Sequence, residues 1–284
     1  MEDIRKCLPI PPENIIGEPA GRDTAPCIAL AASILLKQDK DATMIVLPSD
    51  HLVAPGNVFR KKLQEAAEFA EKGSLITLGI QPTYPATGYG YIHATEKKSK
   101  GFCPVEEFKE KPDEKTARMF VEDGGYYWNS GMFIWRADQI LAAIQKHVPD
   151  LYDRAAGWLR GNDYRLDFQE CPKISIDYAV MEKADNIMVG IADFQWDDIG
   201  SWGALRNVLG TDDNGNTFKG KTISLDSQNN VLFTDDNTII AVIGMENTAV
   251  VKSGNAVLVC PLKDEQKVKT LVNKLKEQNE TDYL

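Results

Sequence analysis

Short apolar runs alternate with segments of helical periodicity over roughly the first two hundred residues. The runs at 43–48 (TMIVLP) and 75–80 (LITLGI) predict strands that are buried on both faces. Between them, apolar residues recur at three- and four-residue intervals over 58–70, and this spacing predicts a helix that Gly73 ends. The alternation predicts an α/β fold with a doubly wound, mixed, mostly parallel sheet.

Further elements of the same kind follow along the chain. NIIGEP at 14–19 predicts a short strand, and the Ala- and Leu-rich segment that begins at Thr24 predicts a buried helix with Thr24 as its N-cap. NSGMFIW (129–135) and MVGIADFQW (188–196) predict strands, and ISIDYAVMEKA (174–184) predicts a helix.

The pattern changes at about residue 218. Four short apolar runs lie eight to ten residues apart and are separated by Asn, Asp and Gly, namely NVLFT, TIIAVIG, TAVVKS and AVLVC. They predict a small C-terminal β domain, either solenoid-like or a meander, and a polar amphipathic helix follows it. The polar loop GTDDNGNTFKG (210–220) predicts the boundary, with domains over 1–214 and 215–284.

Composition narrows the classes of function. The 284 residues carry a formal charge of −10, so a nucleic-acid backbone is not an expected partner, although small phosphorylated ligands need only a few local cations or a metal ion. No apolar run reaches about 18 residues, so we expect no membrane span and no membrane partner. The five scattered cysteines and the absence of a signal sequence predict reduced thiols in a cytoplasmic protein.

Acidic residues follow two of the predicted strands. LPSDH places Asp50 after one strand, and QWDDIG (195–200) places Asp197 and Asp198 after another. Ligands of an open α/β sheet bind beyond the carboxyl ends of its strands. Mg²⁺ takes one or two carboxylates and keeps its other positions for phosphates and water, so the acids predict a Mg²⁺ site. The alternative is that each acid is a turn residue or a helix cap.

Seven motifs in order carry a family resemblance: EPAGRDTAP, LPSDH, TGYGYI, FKEKPD, WNSGMF, SIDYAVMEK and WDDIGSW. Together they closely resemble the mannose-1-phosphate guanylyltransferases (GDP-mannose pyrophosphorylases), a branch of the sugar-1-phosphate nucleotidyltransferases. The resemblance covers essentially the whole chain and implies a Rossmann-like nucleotidyltransferase fold. It also implies the reaction, in which mannose 1-phosphate attacks the α-phosphorus of GTP, GDP-mannose forms, and pyrophosphate leaves under Mg²⁺.

The resemblance assigns roles to the residues of the reaction centre and the base site. Asp50 and Asp198 would hold Mg²⁺, with Asp198 rather than its neighbour at the family position, and Lys111 would meet a phosphate. Glu18 would accept hydrogen bonds from two adjacent donors of guanine, N1–H and the 2-amino group. Uracil and thymine lack this pair of donors. The other implied nucleotide-binding residues are Arg22, Thr24 and Pro48.

The same resemblance implies a sugar site. Glycines of TGYGYI would let the backbone approach the hexose closely, and carboxylates and an amide would bind its hydroxyls. The implied sugar-binding residues are Gly88, Tyr89, Gly90, Glu110, Asn129 and Asp177. For Asp177 the alternative is an acid favoured at a helix start.

One family feature has no counterpart in this sequence. The family opens with a strand and a Gly-rich loop of the type G-G-x-G-x-R-L-W-P-L-S, whose N–H groups grip the triphosphate together with an Arg and a Lys. We therefore expect a chain that is truncated at its N-terminus and inactive alone, with two missing strands between NIIGEP and TMIVLP. The alternatives are a non-catalytic regulatory subunit that binds GDP-mannose, and an enzyme for another sugar or base. A homodimer is also among the expectations.

Overall fold

The computed structural model describes residues 9–95 and 99–283. Within them, the contacts divide the chain into two compact units. The first holds the chain up to Ser49 together with Ala54–Phe194, and the second holds Asp50–Val53 and the chain from Gln195 onward. The predicted boundary at 214/215 marks a different division, because it rests on composition rather than on contacts.

The chain up to residue 209 contains eight strands and six α-helices among the described residues. The strands are β1 (Thr43–Val46), β2 (Leu52–Ala54), β3 (Leu75–Ile80), β4 (Tyr91–Ala94), β5 (Phe102–Lys109), β6 (Tyr126–Arg136), β7 (Ile187–Ile191) and β8 (Gln195–Asp197). The helices are α1 (Thr24–Gln38), α2 (Gly56–Ala70), α3 (Glu114–Asp123), α4 (Ala137–His147), α5 (Pro149–Arg160) and α6 (Leu205–Leu209).

A six-stranded sheet with the order β1-β6-β3-β7-β5-β4 forms the centre of the first unit, and β2 pairs separately with β8. The predicted mixed sheet is confirmed. β1, β3, β4 and β7 share one direction, but only the pair β3–β7 is parallel among the recorded pairs of this sheet. Most neighbouring pairs of the predicted mostly parallel sheet are thus antiparallel, because β5 and β6 run opposite to the other four strands. An apolar run reads the same in either direction. The strand predicted at 43–48 is also not buried on both faces, because β1 lies at the edge of this sheet and Ile45 is 46% exposed.

Two other predicted elements differ from the structure. The segment 14–19 is not a strand: a 3₁₀ turn covers Pro12–Asn14, and no described strand pairs with the residues that follow. Its Ile-rich sequence favours a strand, but a strand also needs a neighbour for its backbone hydrogen bonds. The predicted helix at 174–184 is a single π-helical turn over Asp177–Met181.

Helix α1 is buried as predicted and packs against α4 and α5. Its N-cap is Asp23 rather than Thr24, since the Asp23 carboxylate accepts from the Thr24 N–H at 2.8 Å. Ser33, the one polar side chain that is fully buried in this helix, donates to the carbonyls of Ala29 and Ala155. Within the described residues, none of the helices combines the length and apolar character needed to cross a bilayer.

The predicted C-terminal β domain is confirmed in the second unit. Its strands are β9 (Thr217–Lys219), β10 (Lys221–Leu225), β11 (Val231–Thr234), β12 (Ile239–Ile243), β13 (Thr248–Ser253) and β14 (Ala256–Pro261), and helix α7 (Val268–Glu277) follows. β9, β11 and β13 are successive parallel neighbours, and β10 pairs in parallel with β12. Parallel stacking of successive coils indicates a solenoid, because neighbours in a meander are antiparallel.

Two buried asparagines join the coils of this solenoid. Asn216 and Asn230 are both 0% exposed and precede equivalent strands. The side-chain oxygen of Asn216, Oδ1, accepts hydrogen bonds from the backbone and side-chain nitrogens of Asn230, both at 3.0 Å. Asn230 also donates to the Met245 carbonyl and accepts from the Thr248 N–H. Each coil is thus bonded to the next through amides whose polar atoms are paired.

We expect Asn230→Ala to destabilise the protein by about 3 kcal/mol, because it leaves several buried donors and acceptors without partners. Urea unfolding measures the change. Asn237→Ala, at an exposed asparagine in a turn of the same unit, is the matched control and should change stability by less than about 0.5 kcal/mol. Equal effects at the two positions would contradict the structural role of the buried amides.

Candidate functional site

Four predicted sugar-binding residues meet in the first unit, and Lys111 joins them. Gly90 lies just before β4, Glu110 and Lys111 follow β5, Asn129 lies on β6, and Asp177 begins the π-helical turn. β4 pairs with both β5 and β6, so these neighbouring strands bring the first four residues together. We refer to the five residues as the carboxylate cluster.

At Gly90 the backbone lies close to two other side chains of the cluster. A Cβ atom at this position would overlap the Oε2 atom of Glu110 and lie 3.4 Å from the Cβ of Asn129. The Gly90 carbonyl also accepts from the Asn129 N–H at 2.8 Å. Any larger residue here would therefore displace the carboxylate of Glu110.

Glu110 and Lys111 are neighbours in sequence whose side chains meet. Neighbouring side chains of an extended strand point to opposite faces. Lys111 has a left-handed φ of 44°, and its Nζ lies 2.7 Å from Glu110 Oε1. This hydrogen bond raises the pKa of Lys111 above its ordinary value, against the opposite effect of burial. A residue with a Cβ atom is strained in this backbone region, which marks the turn as a candidate functional feature.

The second oxygen of Glu110 is buried and unsatisfied. The Glu110 side chain is only 9% exposed, and no described residue hydrogen-bonds its Oε2 atom. Buried polar atoms in folded proteins are almost always paired, so an exception calls for a ligand or water partner. A carboxylate oxygen accepts only, and the missing partner is therefore a donor such as a hydroxyl.

Asp177 lies beside Glu110 and is held by Asn129, whose Nδ2 donates to Asp177 Oδ1 at 2.9 Å. Burial raises the pKa of Asp177 to about 6, and the negative charge of Glu110 adds to the effect, while Asn129 and Lys111 oppose it. The cluster therefore holds two desolvated carboxyl groups and one lysine. Such a set offers hydroxyl acceptors together with a cation for a phosphate.

The structure gives different contacts to the remaining predicted sugar residues. The Tyr89 ring packs edge-on against Trp128, with ring centroids 5.1 Å apart. A Cβ atom at Gly88 would meet no described atom within 4 Å, so space within the protein does not require glycine there.

The predicted nucleotide residues Glu18, Arg22 and Thr24 lie at or just before the start of α1. Burial raises the pKa of the Cys27 thiol to about 12, and its hydrogen bond to Glu18 adds to the shift, which places Glu18 against the first turn of α1. Arg22 Nε is buried and has no hydrogen-bond partner among the described residues. Both residues lie at the end of α1 where the helix dipole favours an anion.

Thr24 connects α1 to the segment that carries Asp177. Its hydroxyl accepts from the Ile176 N–H at 2.8 Å, and the Ala25 N–H donates to the Ile174 carbonyl at 3.1 Å. Pro48, the other predicted nucleotide residue, lies near Gly131, where a Cβ atom would be 4.0 Å from the proline ring. The Thr24 hydroxyl thus has a structural bond that the sequence did not indicate.

In the second unit, Asp50 and Asp198 both lie close enough to His51 for their charges to act on its imidazole. Burial lowers the pKa of His51, and the charges of Asp50, Asp198 and Asp197 oppose that shift. The ring accepts from Trp196, with Nε1 and Nδ1 3.1 Å apart. Among the described residues, no group of three or more His, Cys, Asp or Glu side chains is arranged to hold a metal ion. The two predicted metal ligands are therefore at most part of a ligand set, and both are the hard oxygen donors that Mg²⁺ prefers.

Asp197 has a different role from Asp198. Its two oxygens accept from the Ile199 N–H at 2.8 Å and from Asn207 Nδ2 at 2.6 Å. Asp198 Oδ1 accepts from the Gly200 N–H at 3.0 Å. Ile199 has a φ of 48°, which is costly for a β-branched residue. Asp197 therefore stabilises the strained turn in which Asp198 lies.

Sequence reasoning missed Thr77, which is 0% exposed and donates to Asn129 Oδ1 at 3.0 Å. The signal for it was a hydroxyl inside the otherwise apolar run LITLGI, because a polar group in a strand buried on both faces needs a hydrogen-bond partner. It also missed Glu182, whose carboxylate accepts from the Glu110 N–H at 3.1 Å.

The first unit has the nucleotidyltransferase fold, with a mixed sheet covered by helices. Residues 7–214 match the family model described as Nucleotidyl transferase. The chain therefore belongs to the nucleotidyl transferase family, whose members generally use a divalent metal ion. Residues 220–275 match the model described as MannoseP isomerase/GMP-like beta-helix domain, in agreement with the parallel coils of the second unit.

Comparisons with individual proteins point to one branch of this family. The chain is 37% identical to Mannose-1-phosphate guanylyltransferase 2 of Escherichia coli O157:H7 and 39% identical to Alginate biosynthesis protein AlgA of Pseudomonas putida. These matches cover 95% and 99% of this chain but 60% of each relative, so the chain spans about 60% of the length of these relatives. A crystal structure described as mannose-1-phosphate geranyltransferase from Thermus thermophilus is 34% identical and superposes with a TM-score of 0.85, over 92% of this chain and 77% of that one.

The raised pKa of Asp177 gives a prediction for stability against pH. An unfolded aspartate titrates near about 3.9, so between about pH 4 and pH 6 the folded protein keeps a proton that the unfolded chain has released. The proton on Asp177 stabilises the folded protein fully below that window, and this contribution to the free energy of unfolding is lost as the pH rises through about 6. Asp177→Asn does not titrate, so it should become more stable than the wild type by up to about 3 kcal/mol at pH 7.

Urea unfolding of both proteins from pH 4 to pH 7 measures this difference. Asp185→Asn is the control, because the Asp185 side chain is 87% exposed. Its stability relative to the wild type should stay nearly constant over the same range. A difference for Asp177→Asn that is independent of pH would show that this carboxyl is not desolvated.

Proposed function

We propose that this chain forms the nucleotide- and sugar-phosphate-binding parts of a mannose-1-phosphate guanylyltransferase. The reaction joins GTP and mannose 1-phosphate to give GDP-mannose and pyrophosphate. The observation that carries the proposal is the carboxylate cluster, in which a buried, unsatisfied oxygen of Glu110 lies beside Lys111 and the Asn129–Asp177 pair. The names of the relatives support the choice of mannose and guanine.

A hexose phosphate matches the chemistry of this cluster. Glu110 and Asp177 accept hydrogen bonds from sugar hydroxyls, and the amide of Asn129 both donates and accepts. Lys111 brings a positive charge to a ligand that carries a phosphate. Binding of such a ligand pairs Glu110 Oε2, and it also stabilises the charges that the protein has removed from water.

The reaction needs a site for the base and stabilisation of the phosphates. Glu18, whose side chain lies near the start of α1, would accept hydrogen bonds from the N1–H and 2-amino donors of guanine. Asp50 and Asp198 would hold Mg²⁺, which offsets the charge on the phosphate oxygens and the leaving pyrophosphate when it is bound. The charge of Lys111 would orient the phosphate of mannose 1-phosphate, so that an oxygen of this phosphate can attack the α-phosphorus of GTP.

Calorimetry with mannose 1-phosphate tests the role of the cluster. We expect Glu110→Gln to weaken binding by about 10- to 100-fold, since a hydrogen bond to a charged acceptor contributes roughly 1.5–3 kcal/mol. Glu106→Gln is the matched control, because Glu106 lies on β5, just before Glu110, but pairs with His93 at 3.2 Å. A dissociation constant that Glu110→Gln leaves unchanged would remove this residue from the sugar site.

Pyrophosphate release from GTP and mannose 1-phosphate measures whether this chain is catalytic alone. Steady release supports the guanylyltransferase, rules out a non-catalytic subunit and contradicts the expectation that the chain is inactive alone. Binding of GDP-mannose without any release agrees with that expected inactivity and also with a non-catalytic subunit that binds the nucleotide sugar.

The choice of base gives a further prediction. Glu18→Gln removes the negative charge that complements the guanine donor edge, so the ratio of GDP to UDP affinity should fall by about tenfold. Competition binding with the two nucleotides measures the ratio. Glu13→Gln, in the exposed turn Pro12–Asn14, is the control and should leave the ratio as it is. An unaltered preference in Glu18→Gln would show that Glu18 does not contact the base.

A further inference from the structure

We propose that Thr77 is a positioning residue that holds the Asn129 side chain in place, so that its amide, oriented by the Gly131 N–H and Asp177, presents an N–H donor to the sugar site next to its carboxylates. The proposal rests on the proposed function, because it concerns how the same cluster recognises a sugar. Thr77 would affect which ligands bind only through its hydrogen bond to Asn129.

The backbone brings the two side chains together through an irregularity in the sheet. Along β3 and β6, Thr77 is opposite Phe133 and Gly79 is opposite Asn129. A step of two residues on β3 thus corresponds to a step of four on β6. Extra residues of this kind form a bulge, which bends the strand and redirects its side chains. Gly131 lies within the bulge and has a φ of +69°.

Two donors converge on one oxygen of Asn129. The Thr77 hydroxyl donates to Oδ1 at 3.0 Å, and the Gly131 N–H donates to the same atom at 3.2 Å. If the amide turned round, its NH₂ group would face the Gly131 N–H, and its oxygen would face Asp177. An ionised carboxylate accepts only, so the turned amide would exchange attraction for repulsion at both ends. The Gly131 N–H and Asp177 therefore set the orientation of the amide, and the Thr77 hydroxyl adds a hydrogen bond that holds the side chain in that position.

The position of Thr77 favours a role in hydrogen bonding over a role in packing. Its side chain is 0% exposed on a strand whose residues are all buried. A hydroxyl in such a place costs free energy unless it is bonded, and Asn129 Oδ1 is its recorded acceptor. Valine would fill the same space without needing a partner, so the hydroxyl itself carries the effect.

The fixed amide determines what the ligand must offer. Nδ2 has two hydrogens, and the bond from Nδ2 to Asp177 uses one, which leaves the other for a ligand oxygen. Glu110 Oε2 needs a donor. A hydroxyl can accept from the amide and donate to a carboxylate, whereas an ether or a carbonyl oxygen can only accept. The Thr77–Asn129 pair therefore favours sugars that bring a hydroxyl group to the cluster over analogues that lack this hydroxyl.

The test compares GDP with GDP-mannose, because only the second ligand has a sugar for the cluster. In the wild type we expect GDP-mannose to bind more tightly than GDP. Thr77→Val should weaken GDP-mannose binding by about tenfold, the equivalent of one hydrogen bond, and leave GDP binding unchanged. Thr77→Ser keeps the hydroxyl and should restore the wild-type ratio.

The outcomes separate the two proposals. A wild type that binds GDP and GDP-mannose equally overturns the sugar site of the proposed function, and with it the role of Thr77. A wild type that prefers GDP-mannose, with the same ratio in Thr77→Val, overturns the Thr77 proposal alone. Equal losses for both ligands, or a serine variant that behaves like valine, also overturn it, since either result indicates general damage.

A measurement without ligand tests the placement of the Asn129 side chain directly. The hydrogen bond from Asn129 lowers the pKa of Asp177. If Thr77→Val lets the Asn129 side chain move, that bond is lost for part of the time, and the pKa of Asp177 rises. Carbon NMR titration of the Asp177 carboxyl measures it in the wild type and in both variants. A pKa that stays the same in Thr77→Val would overturn the proposal.

Discussion

The desolvation of two neighbouring carboxyl groups, Glu110 and Asp177, is the constraint on which the first unit depends. Removing a carboxylate from water costs free energy unless charges and hydrogen bonds replace the water. The protein supplies Lys111 to one oxygen of Glu110 and Asn129 to one oxygen of Asp177, and it leaves Glu110 Oε2 unsatisfied. The folded chain is thus less stable than it could be at the place where a hydroxyl-rich ligand would complete the bonding.

The backbone around the cluster is shaped by the same constraint. Lys111 takes a left-handed conformation, Gly90 is needed because a Cβ atom would overlap Glu110, and Gly131 opens a bulge beside Asn129. Strained or glycine-dependent positions of this kind persist only when surrounding structure fixes them. Here the buried sheet does so, since β3 and β6 lie at its centre and Thr77 on β3 is fully buried.

The sequence indicated which residues lie together in the carboxylate cluster better than it predicted the shape of the sheet. The motifs TGYGYI, FKEKPD, WNSGMF and SIDYAVMEK contain the residues of the carboxylate cluster, and turn residues at regular spacing predicted a small β domain that is either solenoid-like or a meander. Strand direction, the π-helical turn at Asp177 and the absence of a described strand at 14–19 depend on long-range neighbours, which periodicity does not encode. Thr77 was missed because an apolar run hides the one hydroxyl in it, although its burial without a partner would be costly.

The two units bury polar groups in opposite ways, and the contrast separates structure from function. In the solenoid, Asn216 and Asn230 are neutral, and each amide has partners on the neighbouring coils. Such a network has no need of a ligand and fixes one register of the coils. In the carboxylate cluster of the first unit, carboxyl groups are removed from water, and one oxygen of Glu110 is without a partner among the described residues. A protein gains nothing in stability from that arrangement, which agrees with the proposed sugar phosphate as the missing partner.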